Sequence, residues 1–293
     1  MHSTLFDAEF MRKLETLRLL ARKVFRSPQQ GERTTLRRGT SLEFSDYRRY
    51  HPGDDFRYID WNVYSRLDRL FLKVFTAEED LTIHLLVDTS QSMRLGTPPK
   101  LDYARRVAAA LGYIGLNSLD RVGVMSFADE LGVPMPPQRG RQQIFAMFRY
   151  FEGLQSQGGT NLNRVLSNYA RQSSKTGLAI VLSDLFDAQG YERGLDALAY
   201  SNFDVLLIQL VDETEINPQF DGALRLHDVE SGQQRRLTVN RRMVELYRQK
   251  IADYFAQIEA FCAKRNIEYL RSSTAIPFED LVLQYLRRGF YLR

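Results

Sequence analysis

Short runs of apolar residues without polar alternation constrain the fold of this chain more than any other feature. Three of them read IHLLV, LAIVL and VLLIQL, at residues 83–87, 178–182 and 205–210. A strand with one solvent-facing side alternates apolar and polar residues, whereas a strand covered on both sides is apolar throughout. Helical patterns separate these runs, and strands that alternate with helices form a parallel sheet with helices on both faces. We therefore predict an α/β fold with a doubly wound, mostly parallel sheet.

The same patterns predict the individual elements. An amphipathic helix is expected over Leu5–Phe25, and a β-hairpin is expected to be inserted near 223–239, where polar and apolar residues alternate. The predicted strands are Leu70–Phe75, Thr82–Val87, Val122–Phe127, Leu178–Leu182, Val205–Leu210 and Ile267–Leu270, and the predicted helices are Leu101–Leu116, Arg141–Phe151, Leu162–Gln172, Tyr191–Ala199 and Arg242–Lys264. We predict two parts, an N-terminal extension at 1–77, packed on the main domain, and that main domain at 78–293.

Oxygen-bearing side chains follow two of the predicted strands. Asp88 ends the first strand of the main domain, and Ser90 and Ser92 lie in the loop after it. Asp184 ends another strand, and Thr160 follows two glycines just before a helix. Ligands of open parallel sheets bind beyond the carboxyl ends of the strands. If these strands are neighbours, the five side chains meet at one point.

This set of ligands predicts a metal site. Carboxylates and hydroxyls suit a hard divalent cation such as Mg²⁺, with Mn²⁺ as an alternative. Neutral hydroxyls leave the cation electrophilic, so that it could accept a carboxylate from another protein. The alternative is that the hydroxyls only cap helices. Capping does not explain two acids at two strand ends, and we therefore predict the metal ligands Asp88, Ser90, Ser92, Thr160 and Asp184.

The order and spacing of these five residues resemble the metal-ion-dependent adhesion site (MIDAS) of von Willebrand factor A domains. That site consists of Asp-x-Ser-x-Ser, a distant Thr and a distant Asp, and this chain has a residue for each position. The resemblance implies a von Willebrand factor A-type, Rossmann-like fold in the main domain, with the metal bound by these side chains.

A second resemblance covers nearly the whole chain. Two segments of the chain, DGALRLHDVESGQQ and STAIPFEDLVLQYLRRG, are similar to the bacterial and archaeal domain of unknown function fifty-eight family. The chain also resembles this family in an upstream signature, which consists of Glu43-Phe44, Arg49-Tyr50, Pro52-Gly53-Asp54-Asp55, Arg57, Ile59-Asp60-Trp61 and Arg66. The genes of members of that family usually lie beside genes of MoxR-type AAA+ ATPases. The resemblance implies a chaperone-like role with such an ATPase, in maturing or activating client proteins.

Two other features allow a functional and a structural interpretation. The segment HPGDDFRYIDW could form a second metal site from His51, Asp54, Asp55 and Asp60, or a catalytic pair. We favour a network of Arg and Asp side chains, with Tyr58 and Trp61 packing the N-terminal segment onto the sheet. His84 and His227 have no partner at metal-ligand spacing, so both are predicted to be structural.

Composition restricts the cellular compartment in which the protein is expected. The single cysteine, Cys262, excludes an intramolecular disulfide and indicates a reducing compartment. Charges interrupt the apolar residues near the N-terminus, and no window approaches the roughly 20 apolar residues of a membrane span. We expect a cytoplasmic protein without a membrane span. The net charge of +4 is concentrated between Arg12 and Arg49 and does not require nucleic acid.

Three functions follow from these observations. The first is a non-enzymatic protein-binding module that captures an acidic side chain of a MoxR-type AAA+ ATPase or its client on Mg²⁺. The second is a Mg²⁺-dependent phosphohydrolase with Asp88 as nucleophile, although Ser90 stands where such enzymes usually have a second acid. The third is an RNA-binding A-domain protein that uses the basic N-terminal region.

Overall fold

A computed structural model describes residues 5–25, 42–77, 81–218, 222–227 and 234–287. The chain divides into two compact units, Met1–Ser27 with Leu81–Leu292, and Pro28–Asp80. The predicted division at residue 77 placed the first helix in the extension. In the structure that helix belongs to the larger unit, because its apolar face packs within the same core as the sheet.

The described elements agree closely with the sequence patterns. The strands are β1 (Leu42–Arg49), β2 (Phe71–Ala77), β3 (Thr82–Asp88), β4 (Arg121–Phe127), β5 (Met135–Gln138), β6 (Leu178–Ser183), β7 (Asp204–Val211), β8 (Gly222–His227), β9 (Gln234–Val239) and β10 (Glu268–Ser273). The α-helices are α1 (Ala8–Phe25), α2 (Trp61–Leu67), α3 (Lys100–Asn117), α4 (Gln143–Gly153), α5 (Leu162–Gln172), α6 (Glu192–Tyr200), α7 (Glu213–Ile216), α8 (Arg241–Lys264) and α9 (Phe278–Arg287).

In the described part of the larger unit, six strands form one sheet in the order β10-β7-β6-β3-β4-β5. All neighbours pair in parallel except β4 and β5, which are antiparallel. After β3 the chain continues to β4 on one side, whereas after β6 it continues to β7 on the other. The order therefore reverses between β3 and β6, which is where an open α/β sheet forms a crevice at the carboxyl ends of its strands.

Helices cover both faces of this sheet. On β3, Leu85 and Val87 face a core that includes side chains of α1, α3, α4 and α9. Leu86 faces the opposite core, which includes side chains of α5, α6 and α8. Burial on both faces explains why these strands are apolar throughout, and the prediction of a mixed α/β fold with a mostly parallel sheet is confirmed. Cys262 lies buried in the second core.

The smaller unit contains an antiparallel pair, β1 and β2, with an irregular register between Phe44 and Asp46. Short helical segments lie between these strands, at Phe56–Tyr58 and in α2. The predicted strand Leu70–Phe75 is thereby confirmed as β2, whereas β1 and α2 were not predicted. The signature residues Glu43 and Phe44 lie on β1, and their side chains are outside the described part of the structure.

The predicted hairpin near 223–239 is present as β8 and β9, which pair from Gly222 opposite Val239 to His227 opposite Gln234. Its turn, residues 228–233, and the side chain of His227 lie outside the described residues. Three elements of the larger unit were not predicted, namely β5, the short helix α7 and α9. Among the described helices, none combines the length and apolar character needed to cross a membrane.

Candidate metal centre

Two carboxylates lie at the point where the strand order reverses. Val87 of β3 pairs with Leu182 of β6, which brings Asp88 level with Ser183. The hydroxyl of Ser183 donates to Oδ2 of Asp88 at 2.6 Å. Asp184 is the next residue, and both aspartates are fully buried. The sheet register thus brings the two predicted acids to one place.

The two predicted serines lie in the loop after β3. The backbone N–H of Ser90 donates to Oδ1 of Asp88 at 2.8 Å, and Oγ of Ser90 lies 3.1 Å from Oγ of Ser92. Ser90 precedes a short 3-10 helix, Gln91–Arg94, but its side chain makes no capping hydrogen bond. The hydroxyls therefore face each other beside Asp88 rather than the end of a helix.

Thr160 lies on a loop that is attached to the same region. The N–H of Gln91 donates to the carbonyl of Gly158 at 3.2 Å, and the N–H of Gln157 donates to the carbonyl of Thr89 at 2.8 Å. Thr160 is half-buried, and the cap of α5 is its neighbour Asn161, which accepts from the N–H of Arg164. Capping of α5 thus needs no hydroxyl from Thr160.

The backbone conformation at position 158 favours glycine. Its φ of 71° lies in the left-handed region, and a Cβ there would approach Oδ1 of Asp129 to 2.8 Å. A larger residue would therefore strain the backbone before Thr160 and push aside the carboxylate of Asp129.

Burial and a neighbouring carboxylate disfavour the charged form of Asp88. Burial, and then the negative charge of Asp184, raise the pKa of Asp88 to about 7, and the hydrogen bonds from Ser183 and Ser90 only partly offset this rise. Buried charges are unfavourable unless a charge of opposite sign compensates them. Asp88 receives its hydrogen bonds from neutral groups, so its ionised form has room for a compensating cation.

A buried lysine was missed by the sequence analysis. Lys100, the first residue of α3, is fully buried, and its Nζ donates to Oδ2 of Asp184 at 2.8 Å and to Oε1 of Glu215. Burial alone would lower the pKa of this ammonium, but the charges of Asp184 and Glu215 raise it above its usual value. Burial raises the pKa of Glu215 despite its contact with Lys100.

The sequence contained a signal for this group. A cation at the start of a helix is opposed by the helix dipole, so Lys100, after Pro98 and Pro99, is out of place unless acids surround it. The segment VDETEI also follows the apolar run of β7 in the same way that SDLF follows β6. Acids at the ends of neighbouring parallel strands meet at one edge, and this could have indicated Glu215.

The chemistry of the donor set fits Mg²⁺. Across the described residues, no group of three or more His, Cys, Asp or Glu side chains is arranged to hold a metal ion. A centre at this edge would therefore combine its two carboxylates with hydroxyls. Ser90 and Ser92 are buried beside Asp88, and the donors are all oxygen atoms, which hard cations prefer.

The acidic segment in the smaller unit is engaged in internal contacts. Arg48 pairs with Asp54 at 2.8 Å, and Arg57 pairs with Asp55 at 2.6 Å. Asp60 accepts two backbone N–H groups at the start of α2 and the hydroxyl of Tyr47. The predicted network of Arg and Asp side chains is confirmed, whereas the packing of Tyr58 and Trp61 onto the sheet stays a prediction.

Comparison with known proteins identifies the family. A family model described as "Protein of unknown function DUF58" matches residues 46–257. The chain belongs to this family. This DUF58 protein is also similar to uncharacterized proteins of Mycobacterium tuberculosis and Mycobacterium bovis, each 28% identical over 239 residues that cover 80% of this chain and 75% of the relative.

Solved structures that match part of this chain include proteins of Bacteroides and Deinococcus species. One is an aerotolerance-related membrane protein of Bacteroides fragilis, 15% identical with a TM-score of 0.46, in which 71% of the DUF58 chain matches 99% of the other chain. Another is the conserved hypothetical protein BatB of Bacteroides thetaiotaomicron, with the same identity and TM-score and coverages of 72% and 98%. A third is the RO protein of Deinococcus radiodurans, 20% identical with a TM-score of 0.32 over 53% of the DUF58 chain and 30% of the other.

Proposed function

We propose that this DUF58 protein is a non-enzymatic protein-binding module that binds its partner through Mg²⁺. The proposed ligands are the five predicted side chains, Asp88, Ser90, Ser92, Thr160 and Asp184. The observation that carries the proposal is the meeting of two fully buried aspartates and two facing serine hydroxyls at the point where the strand order reverses.

The burial of these groups supports a cation at this position. Lys100 compensates the charge of Asp184, whereas the hydrogen bonds to Asp88 come from neutral groups, so an ionised Asp88 shielded from water is costly without a further cation. The hydrogen bonds to Asp88, from the Ser90 N–H and the Ser183 hydroxyl, orient the carboxylate and leave further lone pairs for an ion.

The neutral hydroxyls support capture of an acidic group. When bound, Mg²⁺ would supply a Lewis-acidic centre with an open coordination position for a partner's carboxylate. Ser90 and Ser92 add donor oxygens without adding negative charge, so the protein would neutralise the ion only in part. This is the chemistry of the adhesion site that the sequence resembles, and it needs no nucleophile or general base.

The family resemblance supports the choice of partner. Membership of the DUF58 family is shown by the match over residues 46–257. The family resemblance implies a MoxR-type AAA+ ATPase as neighbour, and we propose that this ATPase or its client offers the acidic residue. The protein would then act as an adaptor or co-chaperone in the cytoplasm.

Titration of the metal-free protein with Mg²⁺ tests the metal centre. We expect saturable binding of one ion by calorimetry, and loss of binding in Asp88→Asn and Ser90→Ala. The matched controls are Asp204→Asn and Ser173→Ala, which change the same residue types at the amino end of β7 and at the end of α5. Equal binding by Asp88→Asn and the wild type would exclude the proposed site.

Retention of a purified MoxR-type ATPase from the same genome tests the partner. We expect the immobilised DUF58 protein to retain the ATPase in Mg²⁺ and to release it in EDTA. Asp88→Asn should fail to retain it, whereas Asp204→Asn should behave as the wild type. Retention that persists in EDTA would show that the complex does not depend on the metal centre.

A further inference from the structure

Lys100 is the most unusual charged residue in the described part of the larger unit. Its side chain is fully buried, and its Nζ lies 2.8 Å from Oδ2 of Asp184, a proposed metal ligand. The same atom bonds to Oε1 of Glu215, and it lies 5.5 Å from the centre of the Phe186 ring. A fixed positive charge therefore lies directly beside the candidate metal centre.

Asp184 keeps its orientation through contacts other than the one with Lys100. Its Oδ1 accepts the N–H of Phe186 at 3.1 Å, and its backbone carbonyl accepts from Nε2 of Gln209 at 3.0 Å. Removal of the ammonium would therefore change the charge next to Asp184 more than the position of Asp184.

Glu215 is held in place independently as well. Its Oε2 accepts the backbone N–H of Asp212 at 2.8 Å, as part of a capping box at the start of α7. Asp212 in turn accepts the N–H of Thr97 and the hydroxyl of Thr274, both at 3.1 Å. Glu215 therefore supplies a second positioned negative charge to Lys100, in addition to that of Asp184.

We propose that Lys100 and Glu215 are positioning residues that set the affinity of the candidate metal centre for a divalent cation. The ammonium of Lys100 competes with the ion for the negative charge of Asp184 and also repels the ion. Both effects weaken the binding of the ion. Glu215 offsets part of that repulsion by neutralising the ammonium. This inference deepens the proposed function and rests on it, because it requires that the centre binds Mg²⁺.

The two residues should have opposite effects on metal affinity. Lys100→Met removes a positive charge close to the ion, so the Kd for Mg²⁺ should fall at least about tenfold. Glu215→Gln leaves the ammonium less neutralised, so the Kd should rise at least about threefold. The double variant removes both charges, and its Kd should return to within about threefold of the wild-type value.

The measurement is calorimetric titration of the intact protein with MgCl₂ at about pH 8, where carboxylates are normally ionised. Circular dichroism verifies that each variant is folded. Lys264→Met is the matched control. This exposed lysine lies at the end of α8, just before β10 begins, and therefore near the amino ends of the strands, whereas the candidate metal centre lies at their carboxyl ends. Its Kd should equal that of the wild type.

The outcomes separate this inference from the proposed function. Absence of Mg²⁺ binding in the wild type overturns both. Normal wild-type binding with weaker binding in both single variants, or with the double variant weaker than either, shows that the pair is merely structural and overturns only this inference. If Lys100→Met does not fold, the comparison of Glu215→Gln with the double variant still decides, because removal of Lys100 in that background must lower the Kd.

Discussion

At the scale of single residues, His84 shows how a titratable group can be structural. It lies in the middle of β3, and its Nδ1 is 2.7 Å from the hydroxyl of Tyr169, while its Nε2 has no hydrogen-bond partner within the described residues. Burial lowers the pKa of His84 to about 4. The imidazole is therefore neutral in the folded protein, in keeping with its predicted structural role.

Stability should consequently decrease in mild acid. An unfolded histidine takes up a proton near pH 6.5, whereas His84 in the folded protein does so only near pH 4. The unfolded state therefore binds more protons between these values, and the free energy of unfolding should fall as the pH falls through this window. The expected loss is roughly 3 kcal/mol by pH 4, measured by urea unfolding at several pH values.

The variant His84→Asn isolates this contribution. Asparagine keeps a polar atom within reach of the Tyr169 hydroxyl but cannot gain a proton. Its stability should depend less on pH between 6.5 and 4 than that of the wild type. Identical pH profiles for the two proteins would show that another group causes any loss in acid.

At the scale of elements, the contact between α5 and α6 depends on a glycine. A Cβ at Gly194 of α6 would lie 2.6 Å from the backbone carbonyl of Leu162 and 3.0 Å from Cβ of Leu166. Backbone atoms of α5 cannot move aside as a flexible side chain can. Gly194 therefore sets the separation of these two helices, and α5 begins directly after the Thr160 loop.

Gly194→Ala should lower the free energy of unfolding by about 1–3 kcal/mol, because it overpacks this contact. It should also weaken Mg²⁺ binding, since displacement of α5 moves the Thr160 loop. The matched control is Gly153→Ala in α4, where a Cβ would have no atom within 4 Å. Equal unfolding midpoints for the two variants in urea would refute the tight contact.

Two of the elements of the larger unit that were not predicted, β5 and α9, differ in how visible they are in the sequence. The strand β5 contains Pro136 and Pro137, and only its antiparallel pairing with β4 makes it a strand. The helix α9, in contrast, has buried residues at helical spacing and acids in its first turn. Periodicity alone could have predicted α9, whereas β5 required knowledge of its partner.

At the scale of the whole molecule, α1 is part of a core whose other elements come much later in the chain. Leu14 and Leu17 are buried in the same cluster as residues of α3 and α9. The chain leaves the larger unit after this helix and returns to it at Leu81. The first helix therefore contributes to the stability of the unit that contains the candidate metal centre.

Leu14→Ala should lower the free energy of unfolding of the larger unit by about 2–5 kcal/mol, because it leaves a cavity in a fully buried site. Leu19→Ala is the matched control on the same helix, since Leu19 is 59% exposed and should change stability little. Urea unfolding followed by circular dichroism measures both. A similar small effect of the two substitutions would show that α1 is dispensable for the core.

The sequence by itself determined the layered fold and the position of the two aspartates at strand ends. Apolar runs and helical spacing are local properties, and strands covered on both faces leave little choice of architecture. Only the tertiary structure decided that β3 and β6 are neighbours, that α1 joins the larger unit, and that Lys100 lies against Asp184. Contacts between residues far apart in the chain depend on strand order and packing, which no local pattern encodes.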